Sequence, residues 1–159
     1  MWNARKKRKI NPKTGKREYR RKSPLQRLEK KADDLTKEIV RLIYDWKCQK
    51  CGKTITNKSE AHRVHIVSCT HKTLRWDLVN LLLMCMTCHR TFHDADVIKE
   101  FVREEWPVRY DYLYLWPNEG QPPRCNQTLP YRTLKEKEEW MEKIIVELTA
   151  KYEELKNGK

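Results

Sequence analysis

The chain has 159 residues and a formal charge of +13, with 36% charged and 38% hydrophobic residues, which is one domain's length and a lean supply for a large apolar core. No apolar run approaches the roughly 18 residues that cross a bilayer, and no secretory signal is recognisable. These features argue against a membrane protein or a secreted disulfide scaffold; a cytoplasmic protein whose six cysteines act as thiolates is expected.

The charge is unevenly distributed. Residues 1–22 hold eleven Lys or Arg, among them Lys6, Lys7 and Arg8, against one acid, Glu18, so ten of the thirteen net charges sit there. Such a run cannot pack and is expected to be a disordered arm that meets a polyanion. DNA is the expected partner, since no amphipathic apolar face accompanies the arm to suggest a membrane. A solubilising or nuclear-targeting tail is the alternative.

Ser23-Pro24 opens a helix, and Leu25, Leu28, Ala32, Leu35, Ile39 and Leu42 recur at helical spacing to about Tyr44. Cys48-x2-Cys51 and Gly52 then form a knuckle. Ala61 to Ser68 reads as a strand, Cys69 to Asp77 as a loop, and Val79 to Met84 as a second strand. Met86 to Phe92 and Ala95 to Glu105 read as helices. Residues 106–133 are rich in aromatics and proline, which suggests irregular structure or a short helix over 109–116. The aromatics at 106–116 are expected to pack beneath a last helix that starts at Thr133, with stacking on unpaired bases as the alternative. Leu134, Met141, Leu148 and Leu155, at seven-residue intervals, could pack on the domain or against a second copy, making a homodimer. The chain thus divides into the arm (1–22), an N-terminal helix (23–46), a core (47–105) and the aromatic segment with the C-terminal helix (106–159).

Cys48, Cys51, Cys85 and Cys88 form two CxxC pairs, each able to aim two sulfurs from one turn, and together they suit a structural Zn2+. Cys69 and Cys125 are left over, the first expected as a buried or loop thiol and the second at the surface. Between and after the CxxC pairs lie His65, Asn80, His89 and His93, separated by fourteen, eight and three residues. A strand histidine can take a proton from water, and histidines four apart share a helix face.

The set Val64-His65-Ile66, Leu74-Arg75-Trp76-Asp77, Asn80-Leu81, Cys85-x2-Cys88-His89 and His93 resembles the HNH (ββα-metal, His-Me finger) nucleases, and with its thiolate frame is similar to phage NinG-type recombination endonucleases. The resemblance spans about residues 45–105. It implies an α+β fold with a small ββα-metal core, and an endonuclease hydrolysing DNA in phage recombination or replication, on branched or single-stranded DNA. It also implies catalytic roles for His65 as general base, Asn80 as the residue holding its loop and His89. The catalytic ion, Mg2+ or Mn2+ with Zn2+ or Ni2+ as substitutes, would be held by His89 and His93. Position 64, usually a further ligand in the family, is valine here, so His62, His71 or water must serve instead. Arg63, Lys72, Arg75 and Arg90 are expected to bind phosphates, with Arg75 the best single choice. Rival readings are a nuclease assisting a packaging terminase, a silent zinc module that binds DNA, and an RNA-binding zinc protein.

Overall fold

The computed structural model describes residues 22–92, 94–115 and 124–158, together with Gly15. The basic arm, with Lys6, Lys7 and Arg8, lies outside the described residues, as does His93. Helix α1 spans Pro24–Ile43, strand β1 Ala61–His65, strand β2 Leu81–Cys85, and helix α2 Met86–Thr91. Helices α3 (Ala95–Glu105), α4 (Pro107–Tyr110) and α5 (Leu134–Asn157) follow. The fold is α+β. None of the described helices is long and apolar enough to cross a membrane.

Local chemistry sets the ends of α1. The Ser23 hydroxyl accepts from the Gln26 backbone N–H, the Gln26 side chain returns the bond, and Pro24 begins the first turn. Strands β1 and β2 pair antiparallel, with Ala61 opposite Cys85 and His65 opposite Leu81. Both strands are shorter than their apolar runs suggest. Leu78–Asn80 forms a 3-10 turn capped by Asp77, so β2 starts at Leu81. Every residue of β2 is buried, because α1, β1 and the later helices close around it. An unbroken apolar run is what such a strand requires. Strand β2 leads directly into α2, completing a strand–loop–strand–helix unit.

Two apolar clusters form the interior. One surrounds β2 and gathers Ile55, Val64, Ile66, Val67, Leu74, Phe92, Ile98, Val102 and Leu113. The other joins α1 to α5 through Ala32, Ile39, Met141, Ile145 and Leu148, with Trp76 between them. The middle of the α5 stripe, Met141 and Leu148, is therefore covered by α1 of the same chain. Leu134, its first member, is 74% exposed.

After α3 the expected short helix over 109–116 is met as far as Leu115: α4 continues directly into a π-helical turn over Asp111–Leu115. Its packing differs from expectation. Trp106, Tyr110, Tyr112 and Tyr114 pack on the β2 cluster and not beneath α5. Arg109 donates to the Tyr44 hydroxyl (2.8 Å), which in turn donates to the Leu81 carbonyl (3.0 Å), fastening this layer to the sheet. Cys69 is an exposed loop thiol, whereas Cys125 is half-buried against the same cluster.

Candidate metal centre and histidine site

The four sulfurs of Cys48, Cys51, Cys85 and Cys88 lie within 4.8 Å of one another, and those of Cys51 and Cys85 are 4.0 Å apart. Tetrahedral Zn–S bonds of about 2.3 Å separate their sulfurs by roughly 3.8 Å, so the donor set fits Zn2+. Backbone bonds shape this centre. Gly52 N–H donates to the Cys48 carbonyl (2.9 Å), and Gly52 has φ +71°, a conformation that favours glycine. Gln49 N–H donates to the Leu83 carbonyl (2.8 Å), which ties the knuckle to β2. Cys85 ends that strand and caps α2, so the second CxxC pair lies on the strand–helix junction.

The thiols carry unequal proton affinities. Burial alone would raise the Cys48 thiol, but backbone hydrogen bonds at Cys51, Cys85 and Lys50 hold it down at about 7. Burial and the neighbouring sulfurs push the Cys88 thiol well up. Four adjacent thiols cannot all ionise by themselves; a cation among them removes that conflict.

Asn80 is fully buried, and its side chain is hydrogen-bonded on both ends. Its carbonyl oxygen accepts from Val67 N–H (2.7 Å), while its amide donates to the carbonyls of Val67 (3.0 Å) and Leu74 (2.9 Å). The Ile66 N–H also donates to the Asn80 main-chain carbonyl (3.0 Å). One carboxamide thus extends the sheet pairing by a residue and closes the loop that connects the strands.

His65 is the last residue of β1 and half-buried. Its Nε2 lies 3.0 Å from the Arg75 carbonyl. A carbonyl can only accept, so Nε2 carries the proton and Nδ1 keeps its lone pair. Burial, reinforced by the positive charge of Arg63, lowers the His65 pKa to about 4 despite that hydrogen bond. The ring is neutral at physiological pH and offers a basic nitrogen.

His62 and His89 are brought together from β1 and α2, with their Nδ1 atoms 3.1 Å apart and ring centroids 4.9 Å apart. Two nitrogens bound to one cation at about 2.1 Å would sit roughly 3.0–3.4 Å apart, so the pair fits two adjacent ligands. His62 Nε2 is buried without a hydrogen-bond partner among the described residues. Val64, the position lacking a donor atom, is buried, and His71 is exposed in the loop. Side chains alternate along a strand, so His65 shares its face with Arg63, and His62 shares the other with Val64. The expectation that His65 itself joins the ligand cluster is not met. Among the described residues, the four cysteines are the one group of three or more metal-type side chains close enough to share an ion.

The expected phosphate-binding arginines need a correction. Arg63 and Arg75 face inward and share the carboxylate of Asp33 on α1, at 3.2 Å and 2.7 Å, because β1 and the loop pack against that helix. Lys72 is half-buried and Arg90 exposed. Asp33 escaped the sequence reading. The available signal was its place beside the apolar stripe, at i, i+3 and i+7 with Thr36 and Val40, both buried.

Comparison with protein-family models, curated proteins and solved structures finds no match to this chain.

Proposed function

We propose that this protein is a metal-dependent DNA endonuclease of the HNH kind. The observation carrying the reading is the environment of His65. A neutral imidazole with its Nδ1 lone pair available ends the first strand of a strand–loop–strand–helix unit, and buried Asn80 pins the loop behind it. His65 Nδ1 takes the proton from the attacking water. His62 and His89, on the strand face opposite His65, would hold a divalent ion, His62 supplying the donor that Val64 cannot. A bound ion would neutralise charge on the scissile phosphate and stabilise the leaving oxygen. The four-cysteine centre braces the strand–helix junction from which His89 projects. Exposed Arg90 and the basic arm meet the DNA backbone.

The test is cleavage of supercoiled plasmid with Mg2+, Mn2+, Ni2+ or Zn2+ by the zinc-loaded chain. Nicked and linear products are expected, and His65→Ala should cut at least about 100-fold more slowly, the usual scale of general-base catalysis. His62→Ala should raise the metal concentration needed for half-maximal cutting. Plasmid left equally intact by wild type and His65→Ala with every metal would sink the nuclease reading. It would leave the rival that Val64 favours, a zinc module that binds DNA without cutting it. Comparing four-way junctions, flaps and linear duplex then separates a recombination substrate from a packaging one.

A further inference from the structure

Asp33 lies outside the strand–loop–strand–helix unit, yet its half-buried carboxylate gathers three side chains, one from β1 and two from the loop. It accepts from Arg63 Nη2 on β1 (3.2 Å), from Arg75 Nε (3.2 Å) and Nη2 (2.7 Å), and from the indole Nε1 of Trp76 (3.0 Å). Arg63 is fixed further by donating to the Asp33 carbonyl (3.3 Å) and to the Thr36 hydroxyl. Arg75 is also the residue whose main-chain carbonyl receives His65 Nε2–H. The carboxylate therefore clamps both neighbours of the imidazole: the arginine on its own strand face, and the loop that carries its hydrogen-bond acceptor.

We propose that Asp33 is a positioning residue for His65, holding the Arg75 carbonyl where it fixes the imidazole with Nε2 protonated and Nδ1 free. The inference rests on the general-base role given to His65 above. It does not require Asp33 to touch DNA or an ion. Three charge-assisted bonds and one indole bond converge on one carboxylate, more than is needed to attach a helix to a hairpin. They make the acceptor rigid. Without the clamp, two guanidiniums would lie beside one another uncompensated, and the segment at 75–76 would relax outward. His65 would then be free to exchange tautomers or to turn its ring. Catalysis is sensitive to such small displacements of a reacting group.

The experiment uses the zinc-loaded full chain labelled with 15N-histidine, with the His65 signals assigned by their loss in His65→Gln. Long-range 1H–15N correlation of the wild type should give one tautomer for His65, protonated at Nε2. In Asp33→Asn, which keeps the side-chain shape, the His65 nitrogens should move to the averaged shifts of a tautomer mixture. Cutting by this variant should fall roughly tenfold or more in kcat, with KM for DNA nearly unchanged. Arg75→Gln releases the same clamp from its other end and should reproduce both effects, which covers the case in which Asp33→Asn does not fold. Zinc content and circular dichroism check the fold of each variant. A single, wild-type tautomer in the folded variants, with wild-type kcat, would overturn the proposal. If the tautomer redistributes in a protein that never cuts DNA, the clamp stands and the nuclease reading falls.

Discussion

At the scale of single residues, His65 carries a prediction with a sign. Its pKa is lowered to about 4 by burial and by Arg63, against an ordinary value of 6.5. Above pH 6.5 the ring is neutral in both folded and unfolded chains and contributes no pH dependence. As pH falls from 6.5 to 4, the unfolded chain takes up the proton first, so the fold loses stability across that window. The shift corresponds to about 3 kcal/mol at most, reached below pH 4. Urea unfolding of wild type and His65→Gln between pH 4 and 7 should reveal a difference that grows on acidification. Asp33 acts in a lower window. Burial alone would raise its pKa, but the hydrogen bond from Arg75 and the charges of Arg63 and Arg75 hold it at about 2. Its stabilisation is present above pH 3.8 and lost towards 2. The two contributions are therefore separable by pH. Under the proposed general-base role of His65, the acid limb of kcat/KM for cutting should lie nearer pH 4 than 6.5. A limb at 6.5 would mean that His65 is solvated when the proposed reaction proceeds.

At the scale of elements, the two CxxC turns and the short sheet depend on one another. The first knuckle has little structure of its own: a bridge between Lys47 and Thr54, the Gly52 turn and the Gln49 bond to Leu83. A two-stranded sheet is marginal alone, so metal binding should supply much of the folding free energy here. Cys48→Ser, or removal of zinc with a chelator, should abolish the β1–β2 pairing and expose Trp46. Circular dichroism and tryptophan fluorescence would read this, while His65→Ala should keep both signals. Equal melting temperatures for Cys48→Ser and the wild type would contradict the structural ion. Helix α5 contributes differently. Its inner residues complete the apolar face of α1, and Lys137 reaches Glu29 at 2.7 Å across that interface.

At the scale of the whole molecule, the charge is divided unevenly along the chain. Of the +13, only three net charges belong to residues 23–159. Within that part Arg63 and Arg75 share the single carboxylate of Asp33, and Arg41 and Lys58 that of Glu38, so these four side chains are engaged within the fold. Under the proposed function, DNA affinity should come mainly from residues 1–22. Deleting residues 1–21 should weaken binding of duplex DNA and flatten the fall of log K with log salt, each lost phosphate contact removing about 0.9 from the slope. Fluorescence anisotropy at several salt concentrations measures this. An unchanged slope would assign the binding to the folded surface.

Local chemistry was legible in the sequence. The Ser23-Pro24 start of α1, the two CxxC turns and the Thr133 start of α5 all follow from residues a few positions apart. The loop-holding place of Asn80 was implied by the family resemblance alone; its carboxamide bonds Val67 and Leu74 in the structure. What needed the tertiary structure was which faces meet. The pairing of His62 with His89, the inward turn of Arg63 and Arg75 towards Asp33, and the covering of the α5 stripe by α1 join residues 27, 30, 42 or more positions apart. Periodicity tells which side of an element is apolar or charged. The stacking of layers, decided by total burial, chooses its partner.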